Sequence, residues 1–123
     1  MDPQTIASMS YEDFRDMVRS TPGERDCPVR RTLGVLGGKW VPSVVFELEK
    51  ADSLRFGELK RAAAPITSAS LSTTLKELEA KGLVKREMFD EMPLRVEYRL
   101  TDAGRDMLPL FYEMAKWGAK HLY

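Results

Sequence analysis

Three features of the stretch from Leu54 to Thr101 predict a mainly helical α+β fold, a winged helix-turn-helix with a two-stranded wing. A short helix over Phe56–Ala63 is followed by a break at Pro65. A second helix opens in a Ser/Thr cluster and carries Leu71, Leu75 and Leu78 at the spacing of one helical face. Two β-rich runs, Leu83–Phe89 and Leu94–Leu100, then flank a turn that holds Pro93. The remaining segments read as flanking N- and C-terminal helices that support this unit and build a dimer.

Length and composition fit that reading. The chain has 123 residues, 43% of them hydrophobic and 31% charged, enough for one core in a single domain over residues 1–123. The formal net charge is zero, so any attraction to nucleic acid has to come from local clustering rather than bulk charge. A single cysteine rules out a disulfide within the chain and fits a reducing, cytoplasmic setting. The start, MDPQTIASMS, has neither the basic region nor the apolar core of a signal peptide. No apolar run approaches the roughly 20 residues that span a bilayer.

Taken in order, residues 1–9 show no periodicity and read as frayed chain. Ser10 can cap a helix over YEDFRDMVRS, with Asp13 at the capping-box position and Tyr11, Phe14, Met17 and Val18 on one face. Thr21-Pro22-Gly23 ends it. Pro28 suits the first turn of a further helix, in which Val29, Leu33 and Leu36 share a side and Gly37-Gly38 marks the stop. Lys39–Lys50 reads as a central core helix because Trp40, Val41, Val44, Val45 and Leu48 make a wide apolar stripe. Leu54-Arg55-Phe56 can add one short strand to the hairpin. Thr101-Asp102 caps a long last helix reaching about Leu122 and bent at Pro109. Its apolar residues, among them Leu108, Leu110, Phe111, Met114 and Trp117, cover more than one side. That surplus predicts a partner subunit, most simply a symmetric dimer.

The outward face of the second helix is the candidate for function. With Leu71, Leu75 and Leu78 inward, Ala69, Thr73 and Lys76 point away, flanked by Ser70 and Ser72, with Ser68 at the start. Such a small, hydroxyl-rich face can enter a major groove and set its cation near the backbone. Ser and Thr also start helices well, but this cluster exceeds what one cap requires. From Leu54 to Arg86 seven cations (Arg55, Lys60, Arg61, Lys76, Lys81, Lys85, Arg86) face three anions (Glu58, Glu77, Glu79). Lys60 and Arg61 fall on the exposed side of the first helix, where phosphates of double-stranded DNA would pass. The wing tip, FDEMPLR, is acidic at Asp90 and Glu91. Arg95 is its one residue suited to a minor groove.

Other chemistries lack their residues. One histidine, His121, and one cysteine far apart make no metal site and no catalytic pair. Gly37-Gly38 lacks the spacing of a phosphate loop and its following Lys-Ser/Thr. Trp40 and Trp117 read as core or interface. The residues predict no cofactor and no enzyme.

Taken together, CPVRRTLGVLGGKW, LRFGELKR, ITSASLSTTLKELEAKGLVKR, PLRVEYRLT and AGRDMLPLF followed by Trp117 resemble the HxlR-type (DUF24) winged-helix regulators, relatives of the MarR group. The resemblance runs from Cys27 to about Trp117. It implies a homodimeric DNA-binding transcriptional regulator, with Ser68–Lys76 as recognition helix and Met88–Arg95 as wing. It also implies a dimer built from the N- and C-terminal helices. Two departures stand out: a helix before Cys27 longer than the family minimum, and the acidic wing tip. Several family members sense oxidants or electrophiles through a cysteine at the position of Cys27. Here Cys27 would sit at a helix N-terminus near Arg25, Arg30 and Arg31, a setting that attracts negative charge on sulfur, while Glu24 and Asp26 oppose it. The alternative is a structural cysteine under the dimer helices.

Two further readings of function stay open. One is a regulator gated by a small-molecule effector at the dimer interface. The other is a winged helix used only for protein–protein contact, against which the basic excess and the hydroxyl-rich face speak.

Overall fold

The computed structural model describes residues 2–23 and 27–123. The chain divides into two compact units, Met1–Gly37 and Gly38–Tyr123.

The first unit holds α1 (Pro3–Ala7), α2 (Tyr11–Ser20) and α3 (Pro28–Leu36). α1 corrects the expectation of frayed chain at the start. Asp2 caps it, accepting from the Gln4 N–H at 3.2 Å and the Thr5 hydroxyl at 2.8 Å, and Pro3 takes the first helical position. The Thr5 hydroxyl, and then the Gln4 N–H, hold the Asp2 carboxyl below its usual range. A cap and a proline start this helix without any periodicity to signal it. Ser10 caps α2 by accepting from the Asp13 N–H at 3.1 Å. In α3 the cap is Cys27 itself, whose Sγ accepts from the Arg30 N–H at 3.5 Å. None of these three helices contains a buried residue.

The second unit contains the core. α4 (Val41–Glu49) buries Val41, Val44, Val45 and Leu48, as its stripe predicts. β1 (Leu54–Arg55) leads directly into α5 (Phe56–Ala62), which buries Leu59. α6 (Ser68–Ala80) buries Leu71, Leu75 and Leu78, and also Thr74. β2 (Val84–Phe89) and β3 (Arg95–Leu100) form the wing. With β1 they make an antiparallel sheet of order β1-β3-β2, in which Val84 lies opposite Leu100, Arg86 opposite Tyr98 and Glu87 opposite Glu97. Val84 and Leu100 are buried, so the strand face carrying them packs on the helices.

The turn between α6 and the wing is pinned at several points. Gly82 takes φ +73°, the left-handed value that lets a helix end tightly. The Leu83 N–H then reaches the Leu78 carbonyl at 2.9 Å, and the Gly82 N–H the Glu79 carbonyl at 3.0 Å, closing the helix end. The Thr101 hydroxyl donates to the Gly82 carbonyl at 2.6 Å and accepts from the Gly104 N–H at 3.1 Å.

The last helix is divided rather than bent. α7 (Asp102–Arg105) ends at Asp106, and α8 (Met107–His121) follows. Proline has no N–H for the carbonyl four residues back, and its ring clashes there. For Pro109 that carbonyl belongs to Arg105, the last residue of α7.

Candidate nucleic-acid interface

Thr67 starts α6, its hydroxyl accepting from the Ser70 N–H at 3.1 Å, so the cap is supplied from outside the helix. The hydroxyls that follow are free of that duty. Ser68, Ala69, Thr73 and Lys76 are exposed, and Ser70 and Ser72 are half-buried at the flanks. Thr74 belongs to the core instead, 7% exposed between Leu71 and Leu78.

Lys60 and Arg61 are exposed in the last turn of α5. Among the described residues neither forms an ion pair, and the same holds for Arg55, Lys76, Lys81 and Arg86. Of the seven cations in the basic stretch only Lys85 is paired, to Glu87 at 3.2 Å. The helix-turn-helix therefore presents a hydroxyl face bordered by uncompensated positive charge, the arrangement that attracts and orients a phosphate backbone.

Arg95 is placed differently. Its guanidinium donates to Glu97 Oε1 at 2.9 Å and to Glu91 Oε1 at 3.0 Å, and lies 3.9 Å from the Phe89 ring centre. Glu97 also accepts from the Ser53 hydroxyl at 3.0 Å. Sequence reasoning missed this arrangement because Phe89 and Arg95 face each other only through the strand register. The Arg95–Glu97 spacing, two apart on one strand, was the available signal.

Cys27 is half-buried and borders a cleft of about 260 Å³ in the first unit, together with Phe14, Met17, Val18 and Val29. Arg25, Glu24 and Asp26, counted as its charged neighbours, lie outside the described residues. In the second unit Phe46 of α4 meets Phe111 of α8 edge to face at 5.2 Å. These two rings, with Leu108, Pro109, Tyr112 and Ala115, line an open apolar cleft of about 580 Å³. Among the described residues no three His, Cys, Asp or Glu side chains gather to hold a metal ion. No helix among them is long and apolar enough to cross a membrane.

Comparison with known proteins agrees with this geometry. The sequence model of the HxlR-like helix-turn-helix family matches residues 35–123. An uncharacterised HTH-type transcriptional regulator of Halalkalibacterium halodurans is 41% identical over 113 residues, 92% of this chain and 97% of that protein. A putative MarR-family transcriptional regulator of Porphyromonas gingivalis superposes with a TM-score of 0.72 at 39% identity, over 82% of this chain and 98% of that one. The redox regulator HypR in its oxidised form superposes with a TM-score of 0.68 at 40% identity, over 77% of this chain and 97% of that one. The chain, with its helix-turn-helix and wing, is thus a helix-turn-helix transcriptional regulator and belongs to the HxlR family.

Proposed function

We propose that the protein acts in the cytoplasm as a homodimer that recognises a two-fold symmetric site on double-stranded DNA. Ser68, Ala69, Ser70, Ser72 and Thr73 of α6 meet base edges in the major groove, and Lys60, Arg61 and Lys76 hold phosphates. The observation that carries this reading is the exposed, hydroxyl-rich start of α6 beside cations without ion pairs. Two copies would set their α6 helices about 34 Å apart to meet successive major grooves.

The dimer reading rests on apolar surface that one chain leaves uncovered. On α8, Tyr112, Met114 and Trp117 are exposed, Trp117 by 60%. In the first unit Val18 and Leu33 are 56% and 59% exposed, on helices that bury nothing. Isolated helices of this length are marginal in water, so apolar faces of this kind gain stability from a partner.

Cys27 is the proposed sensor of oxidants or electrophiles. Support comes from its position beside a cleft in the first unit and from the likeness to HypR, itself a redox regulator. A change at sulfur alters the cap of α3, and through a dimer built on the N-terminal helices would tilt the two recognition helices. A second reading, gating by a small apolar effector, is favoured by the cleft around Phe46 and Phe111.

Fluorescence anisotropy tests these readings, using a duplex that the protein selects from a random pool, with and without diamide. Ser70→Ala/Thr73→Ala is expected to abolish the preference over a scrambled duplex. Diamide is expected to shift the affinity of the wild type and not of Cys27→Ser. Failure to select any duplex would overturn the DNA reading, and an equal diamide response in Cys27→Ser would overturn the sensor.

A further inference from the structure

The two faces of the wing carry very different charge. On one lie Lys85, Glu87 and Phe89 of β2, and Arg95, Glu97 and Arg99 of β3. Every cation of that face is answered there: Lys85 and Arg99 by Glu87, at 3.2 and 2.6 Å, and Arg95 by Glu97 and Glu91. Arg95 is further held by its stack on Phe89. Sending its guanidinium to DNA would forfeit two ion pairs and a ring contact, and would strand two carboxylates near phosphate.

The other face carries Val84, Arg86 and Met88 of β2 opposite Leu100, Tyr98 and Val96. Val84 is buried and β2 packs against α6, so this face continues outward from the recognition helix. Arg86, two residues beyond Val84, is the only charged group among those six. It is exposed and has no ion pair among the described residues. A duplex docked on α6 would run its backbone past this side of the wing.

Resting on the regulator reading above, we propose that the wing holds DNA through Arg86, which takes a backbone phosphate, while Arg95 is an internal strut of the hairpin. The contact adds affinity and orientation uniformly across sequences, because a phosphate carries no base identity. It also explains how an acidic wing tip is compatible with DNA: Asp90 and Glu91 close the hairpin at the far end, and Glu91 is engaged by Arg95.

The test measures the salt dependence of binding to the selected duplex, from about 50 to about 200 mM KCl, beside thermal unfolding of the free protein. Arg86→Gln is expected to lower the slope of log affinity against log salt by about 0.9 per subunit, with unfolding unchanged. Arg86→Lys is expected to keep the slope, since the charge remains. Arg95→Gln is expected to keep the slope and to lower the unfolding temperature. A wild-type slope in Arg86→Gln, or a reduced slope in Arg95→Gln, would overturn the assignment. So would a loss of thermal stability in Arg86→Gln that accounts for its weaker binding. Ser70→Ala/Thr73→Ala separates the two layers of the argument. If that variant loses the duplex while Arg86→Gln behaves as wild type, the regulator reading stands and the wing assignment falls. If the wild type selects no duplex, both fall together.

Discussion

Thr101 shows how much one side chain can hold. Its hydroxyl serves the end of α6 and the start of α7 at once, donating to the Gly82 carbonyl and accepting from the Gly104 N–H. Thr101→Val keeps the shape and removes both bonds, so urea unfolding should show a loss of about 1–2 kcal/mol. Gly104 is tighter still. A Cβ there would collide with the Leu83 carbonyl oxygen and crowd a Leu100 methyl at 3.0 Å. Because the obstacle is backbone, Gly104→Ala should fall at the upper end of the ~1–3 kcal/mol typical of overpacking. Both substitutions lie behind the wing, so a DNA affinity normalised to folded protein should change far less than stability does.

Among the elements, α3 links fold to the proposed sensing. A sulfur at 3.5 Å is a weak acceptor, whereas serine is among the preferred capping residues. Cys27→Ser should therefore match or exceed the wild type in thermal stability. Cys27→Ala, which removes the cap, should be less stable than Cys27→Ser by about 1 kcal/mol. If serine proved the less stable of the two, the thiol would owe its place to packing in the cleft with Phe14 and Val29 rather than to capping. The break between α7 and α8 has a similarly local cause in Pro109. It lets Met107 and Phe111 turn into the core while the outer side of α8 keeps Tyr112, Met114 and Trp117 exposed.

At the scale of the whole molecule the unburied surface is the main feature. The second unit has a core of its own, and the helices of the first unit bury no residue. Sedimentation velocity should show a dimer, and Trp117→Asp should shift it toward monomer with a loss of DNA affinity much larger than any loss of secondary structure. A monomeric wild type at tens of micromolar would sink the dimer reading. Charge works at this scale too. With zero net charge in the sequence, binding depends on which side of the molecule keeps its cations free. Within the helix-turn-helix and wing, Lys85, Arg95 and Arg99 are paired, while Arg55, Lys60, Arg61, Lys76, Lys81 and Arg86 form no ion pair among the described residues.

The sequence by itself determined the winged helix-turn-helix, because its evidence is local. Leucine spacing along α6, the break at Pro65 and the two β-rich runs around Pro93 each act over a few residues. It also determined which side of α6 meets solvent, since periodicity alone orients a helix with one buried stripe. Only the tertiary structure decided which arginine of the wing is available. Arg86 and Arg95 are alike in the sequence, each on a strand and each near acidic residues. Strand register puts Arg95 over Phe89 and beside Glu97, and turns Arg86 to the face that leads out from α6. The ion pairs of Arg95 with Glu97 and Glu91 are local in sequence, but its stack on Phe89 and the Arg99–Glu87 pair depend on which residues fold opposite one another, and no pattern along either strand states that.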